Sequence, residues 1–413
     1  MPSPRRHPDR PAGFFFMGQM NLATSGGNSL KVSRSMAITE VTNQSWFTRL
    51  GKSVSGIFGG IILFVISIIL LAWNEGRAVK TAKGLEEGSS AVASLESVDR
   101  INPEYNGRLI HLTGLADGKQ TLSDPEFGLE VAALKLQRNV EMLQWKEKTE
   151  STTRNKLGGG TETVTTYTYE KVWSDTHIDS SGFKEPEGHQ NPDVMPLQKL
   201  EKQAENITLG AYKLSPGLVS FLKKFEEVPP PETLPEGYLT VGPAILKSKN
   251  PSTPQIGDLR ITFKAAMPAE VSIIARQNGS LLEGYTTRTG TVLQMLQYGK
   301  VSAAAMFASA KSANKTLTWG LRLLGFILLF LAAKSMLGPI AVLADVLPLA
   351  GKVVRLGTTF IAALVALPVG LLTIAIAWIA YRPVIGITLL VIGVAIPVLL
   401  FITRKKATSA IHA

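Results

Sequence analysis

The run Val54–Trp73, VSGIFGGIILFVISIILLAW, carries no charged residue over 20 positions. At about 1.5 Å of rise per residue, a helix of that length covers about 30 Å, the thickness of a bilayer's hydrocarbon core. Two further runs, Leu356–Ala380 and Val384–Thr403, are equally free of charge. A helix in a soluble domain keeps a polar face, and these segments have none. The chain reads as a multi-pass membrane protein.

A fourth span is expected at 317–337, where Arg322 and Lys334 interrupt an otherwise apolar stretch. Both lie near its ends, where long cationic side chains snorkel to the headgroups, and Trp319 suits the interface. Four spans give a basic N-terminal segment at 1–53, read as disordered from its Pro-, Arg- and Ser-rich start, with Met36 as an alternative first residue. Helices follow at 54–73, 317–337, 356–380 and 384–403, with a connector at 338–355 and a basic tail at 404–413. Residues 74–316 form one large domain between the first two spans.

Charge sets the expected orientation. The chain carries a net +11. Residues 74–316 hold 28 Lys/Arg against 29 Asp/Glu, so the excess lies beside the spans and in the tails. Lys334, Lys352, Arg355, Arg404, Lys405 and Lys406 fall on one side, which the positive-inside rule makes cytoplasmic. Arg382 alone marks the short outer turn. Trp73, Trp319, Arg322, Lys334, Arg382, Arg404, Lys405 and Lys406 are the expected interface anchors. The domain at 74–316 is then extracytoplasmic or lumenal. It is close to neutral, unlike a nucleic-acid-binding domain, so the expected surroundings are the lipid bilayer and other membrane proteins. The chain has no cysteine, which excludes disulfides, thiolate metal sites and cysteine nucleophiles.

The domain reads as β-rich α+β. Leu134–Lys148 and Thr161–Trp173, joined through Gly158–Gly160, have the alternation of a long hairpin. Thr161, Thr163, Thr165, Tyr167, Tyr169 and Trp173 fall on one face of the return strand. Gly107–Gly114 has strand composition. A second hairpin is expected at Ala269–Arg276 and Ser280–Thr286 around Asn278-Gly279, with Asp258–Phe263 as a partner strand. Ser215-Pro216 predicts a helix start running to Lys224, and the Ala-rich 301–315 predicts a helix feeding the second span.

No catalytic motif stands out. Asp175, His177, Asp179, His189 and Asp193 contain metal-ligand types, with the first three on one face if the segment is a strand. The interleaved Ser, Gly and Pro are loop composition, and the spacing is not that of a zinc site. Ser123, Asp124 and His111 make a hydrolytic triad on paper without a nucleophile elbow. Arg322, Lys334 and Asp345 are the charges that could line a polar pathway through the membrane; their positions near span ends favour an interfacial role. No cofactor is expected.

Several segments resemble the transmembrane protein 43 family, also called LUMA. They are NEGRAVKTA at 74–82, NGRLIH at 106–111, LSDP at 122–125 and LQRNVEMLQW at 136–145. GHQNP at 188–192, GDLR at 257–260, VSIIARQ at 271–277, TWGLR at 318–322 and YRP at 381–383 continue the match in order. The resemblance covers nearly everything after residue 45. It implies four spans, a large domain after the first and both termini cytoplasmic. It also implies a non-enzymatic, self-associating scaffold, in eukaryotes of the endoplasmic reticulum and inner nuclear membrane. Lamin and emerin-like envelope proteins are implied partners only in a eukaryote. The lack of cysteine and the compact loops point to a bacterial source and its cell membrane. The rival expectation is a channel or transporter-like component built on the last three spans.

Overall fold

The computed structural model describes residues 38–381 and scattered positions up to 391. The span expected at 384–403, apart from those positions, lies outside the described residues, as do Arg382, Arg404, Lys405 and Lys406. Among the described residues, three helices are long and apolar enough to cross a membrane. Helix α1 (Trp46–Ala91) starts at Ser45, whose side chain accepts from the Thr48 amide. It runs 46 residues without a break, far beyond the apolar 54–73. The charges from Glu75 onward end the hydrophobic run, but no proline ends the helix. Helix α2 (Ala303–Met336) is capped by Ser302 and carries the expected second span. A short α3 (Gly338–Ala344) fills the connector, and α4 (Pro348–Tyr381) carries the third.

The three long helices pack through small residues. A Cβ on Gly325 would lie 2.4 Å from Leu71, and one on Gly76 would lie 2.6 Å from the Tyr381 ring. Glycine permits these close approaches, the usual device where hydrophobicity alone does not drive association. Leu71, Leu329, Ala366 and Ile374 form the buried centre, with Phe64, Phe326 and Phe330 against it.

The β-rich domain holds two main sheets. Strand β1 (Ile38–Gln44) lies before the first helix. β2 (Leu109–Asp117), β3 (Lys135–Asn155), β4 (Thr161–Ser174), β5 (Ala244–Lys247), β6 (Leu259–Ala266), β7 (Ala269–Asn278) and β8 (Met295–Tyr298) follow α1. The first sheet runs β1-β4-β3-β6-β5, antiparallel throughout. The second is built on β7, flanked by β2 and β8. Residues of both sheets share one core that includes Leu112, Leu136, Val140, Ile261, Phe263 and Ile273. A smaller core of Leu85, Leu109, Ile274, Met306 and Phe307 joins the domain to α1 and α2.

The long hairpin is present as expected, with Asn155 opposite Thr161. Three other expectations need correction. Residues 38–53 are strand and helix, not a disordered tail; residues 1–37 lie outside the described region. The alternation of ITEVTNQ is a strand signal, and β1 pairs with β4 from Ile38↔Tyr167 to Gln44↔Thr161. Second, β6 pairs with β3 in the first sheet and not with β7, because Ala266 to Ala269 carries the chain across from one sheet to the other. Third, the helix expected from Ser215 to Lys224 is one turn, Pro216–Val219, and Ser215 makes no side-chain cap.

Beyond Trp145 the strand β3 leaves the core and pairs with β4 alone. The whole β3–β4 ladder, of which this polar ribbon is the outer part, is 14 residues long, about 45 Å at ~3.3 Å per residue. Its tip reaches the start of α1, where the Arg49 guanidinium donates to the Gly159 carbonyl. Lys184 and Tyr167 fasten β1 from the side by donating to Glu40, at 3.0 and 3.1 Å. The Lys184 ammonium and the Tyr167 hydroxyl hold the Glu40 carboxyl below its usual range.

Candidate functional site

The densest polar cluster lies where the apolar run of α1 gives way to the segment entering the domain. Asn74 and Glu75 are buried there. A buried carboxylate requires full compensation. Arg322 of α2 supplies it as a bidentate pair, Nε to Oε1 at 2.7 Å and Nη2 to Oε2 at 2.8 Å. The indole of Trp378, near the end of α4, donates to the same Oε2. The Arg322 guanidinium lies over the rings of Trp319 and Trp378, with centroids at 4.7 and 5.4 Å, in cation–π contact. One acid therefore ties together all three long helices.

A second layer lies on the same faces of α1 and α2. Arg77 donates to Asn74 Oδ1, Asn314 Oδ1 and Thr318 Oγ1 at 2.9–3.1 Å. Asn74 and Asn314 in turn donate to the Thr318 and Ala78 carbonyls. Beside this layer is an open cavity of about 330 Å³ between α1, α2 and α4, lined by Glu75, Lys311, Lys315, Trp319, Arg322 and Trp378 among others.

The opposite end of the bundle has a cluster of its own. Asp345, fully buried after α3, is paired by Arg49 of α1 at 2.5 Å and by Arg355 of α4. Trp46 donates to the Val342 carbonyl, at 2.9 Å. This knot holds the start of α1, the connector and the ribbon tip together. Between the two charge clusters the bundle centre is apolar.

The expected anchors divide accordingly. Trp73 and Trp319 are exposed, as interface residues would be. Lys334 is exposed with its ammonium over Phe330. Arg322 does not reach outward to headgroups but turns inward to Glu75, and Asp345 is a buried bridge. Glu75 and Arg322 were each in view in the sequence, but nothing in their separation of 247 positions signalled a pair.

The loop candidates for a metal do not converge. His177 Nε2 contacts the Pro192 carbonyl at 2.7 Å, and His189 Nδ1 contacts the Glu185 carbonyl at 3.1 Å. His189 stacks on Tyr169, while Asp179 accepts from the Ser181 amide. Asp175 contacts its neighbour Thr176. Among the described residues no three His, Asp or Glu side chains are grouped to hold an ion. The paper triad is also dispersed: Asp124 pairs with the buried Arg138, and His111 faces the Val301 carbonyl. Ser123 lies opposite Glu130 in a separate hairpin.

The sequence profile described as Transmembrane protein 43 matches residues 142–383. Transmembrane protein 43 of Homo sapiens is 35% identical over 373 residues, covering 87% of this chain and 92% of its own. The Mus musculus protein is 34% identical, covering 84% and 89%. The Transmembrane protein 43 homolog of Drosophila melanogaster is 29% identical, covering 81% and 91%. These relatives are animal proteins and lend no support to a bacterial source. No solved structure matches the chain.

Proposed function

Starting from the fact that this chain belongs to the transmembrane protein 43 family, we propose that it is a non-enzymatic scaffold that self-associates in a membrane and organises the complexes around it. The observation that carries this reading is the polar ribbon. It runs between the same two ends as the apolar bundle, from Trp145, where β3 leaves the domain core, to the Arg49–Gly159 contact. A ribbon with an open edge along β3 and Thr, Glu and Lys on both faces is not tolerated against lipid, even with β1 covering the edge of β4. Other protein or a water-filled space must surround it wherever the bundle is embedded, and a second copy supplies that surround. The unbroken α1 and the Glu75–Arg322–Trp378 lock add rigidity, so the domain moves as one with its membrane helices. The compartment follows the family, the endoplasmic reticulum and inner nuclear membrane in a eukaryotic cell, with envelope proteins as partners there.

The test uses the absence of native cysteine. E150C places one thiol on the exposed ribbon. Oxidation in intact membranes at native expression is expected to give disulfide-linked dimers. Monomers alone would overturn self-association through the ribbon. A conducting role for the last helices draws no support from the apolar centre between Glu75 and Asp345.

A further inference from the structure

We propose that the cavity beside Glu75 is a binding site for the phosphate headgroup of an anionic glycerophospholipid. Its acceptor is already consumed: both Glu75 carboxylate oxygens are occupied, by Arg322 and by Trp378. Its donors are not. Arg322 engages Glu75 through Nε and Nη2 only, and among the described residues its Nη1 makes no hydrogen bond. Lys311 and Lys315, one turn apart on α2, line the same cavity, and neither forms a salt bridge among the described residues. Three cationic groups with spare N–H donors around a space of about 330 Å³ fit a ligand that is compact, anionic and rich in acceptors, as a phosphate is.

Position selects a lipid over a soluble anion. The cavity opens at the level of Trp319, whose exposed ring marks an interface. On the same helix, Leu323 and Ile327 follow within about two turns and are exposed, giving acyl chains an apolar track below the headgroup. Basic pockets between membrane helices bind acidic headgroups by this logic, through short-range charge on top of the ordinary attraction of a basic rim. The site is separate from the ribbon, so it stands or falls independently of self-association.

The full chain is reconstituted in nanodiscs of equal parts phosphatidylglycerol and phosphatidylcholine, and the lipid it retains is measured by native mass spectrometry. Retention is expected to favour phosphatidylglycerol by about thirtyfold, from two lysines near a membrane surface. K311Q/K315Q should bring the ratio close to one. K334Q/K352Q, at the opposite end of the bundle, should leave it unchanged. An unselective parent protein overturns the proposal. So does an equal loss in both double variants, which would mark diffuse attraction with no site. Displacement of the retained lipid by millimolar inorganic phosphate would also overturn it, by assigning the cavity to a soluble anion. Lys311 and Lys315 are exposed, so K311Q/K315Q is expected to fold; circular dichroism confirms this independently of lipid.

Discussion

Helix α1 and the β3–β4 ribbon connect the same two ends of the molecule, yet they are built for opposite solvents. Over Val54–Trp73 the helix closes every backbone hydrogen bond on itself and turns Phe58, Ile62 and Ile69 outward. The ribbon carries KEKTESTTRN on one strand and TETVTTYTYEK on the other; among the described residues the outer edge of β3 is open beyond Trp145, while β1 covers the outer edge of β4 from Thr161 to Tyr167. Length alone does not make an element a membrane span. Backbone closure and side-chain polarity decide it. The bilayer can therefore cover the helices only on faces the ribbon does not occupy. Because β1 precedes α1 and pairs with the ribbon, the segment ahead of the first span and the domain after it are tied to one another. A flat bilayer separating the two, as charge counting suggested, would have to break seven residue pairs.

Breaking that comparison outright has the largest expected effect, because its outcome is close to all or none. Glu40 and Thr165 are directly opposite in the β1–β4 register, a separation a disulfide can bridge. E40C/T165C is expected to crosslink nearly completely under mild oxidation in intact membranes, read as a gel shift after cleavage within α1. The register control E40C/T161C, four residues off, should crosslink poorly. If E40C/T165C gives no bond in membranes but forms one in detergent, the bilayer parts the two strands.

The sequence was legible wherever a signal was local. The apolar runs gave the helices, the alternation and glycines gave the ribbon, and the Ala-rich 301–315 gave the start of α2. Ser45 as a cap is an equally local signal, masked by the Arg-rich start before it. What could not be read was which distant residues meet. Arg322 looked like a snorkelling cation because its partner lies on another helix, and the same holds for Asp345. β1 was hidden because seven polar-alternating residues form a stable strand only when β4 supplies the ladder. Adjacency in sequence favours a hairpin of β6 with β7, and burial on alternate faces does not say which sheet offers the other side, so the pairing of β6 with β3 is not legible locally.

The two ends of the bundle sharpen the comparison next. Glu75 has one buried cationic partner, Arg322, whereas Asp345 is shared between the buried Arg49 and the half-exposed Arg355. Removing one member of a buried pair leaves a charge uncompensated and costs about 3–5 kcal/mol, while an exposed pair contributes about 1 kcal/mol or less. E75Q and D345N, each of which strips a buried arginine of its carboxylate, are therefore both expected to lower the thermal midpoint of the detergent-solubilised protein. E75L/R322M, which removes both charges, should recover most of the loss. D345N should act mainly at the far end, raising protease sensitivity near Gly159 by freeing Arg49. A midpoint left unchanged by E75Q or by D345N would mean that the cluster concerned does not hold the bundle together.

The smallest effect concerns the junction between domain and bundle. His111 on β2 is buried there, with Nε2 2.9 Å from the Val301 carbonyl just ahead of α2. Burial pushes its pKa below the usual histidine value, outweighing the opposite pull of the Val301 carbonyl. The folded state thus holds the ring neutral more strongly than the unfolded chain does. On the linkage relation, stability is fully present above the unfolded value of about 6.5 and declines as pH falls below it, because unfolding then takes up a proton. Thermal midpoints measured from pH 7.5 down to 5 should fall in the parent protein and fall less steeply in H111Q, whose amide can still donate to Val301. The acid-sensitive step should appear in the contact between β2 and the start of α2 and leave the Glu75 lock intact, so hydrogen exchange ought to rise around Val301 before it rises in the bundle. A parent midpoint that does not change over this range, or an H111Q slope equal to the parent's, would show that the junction does not sense protonation at this ring.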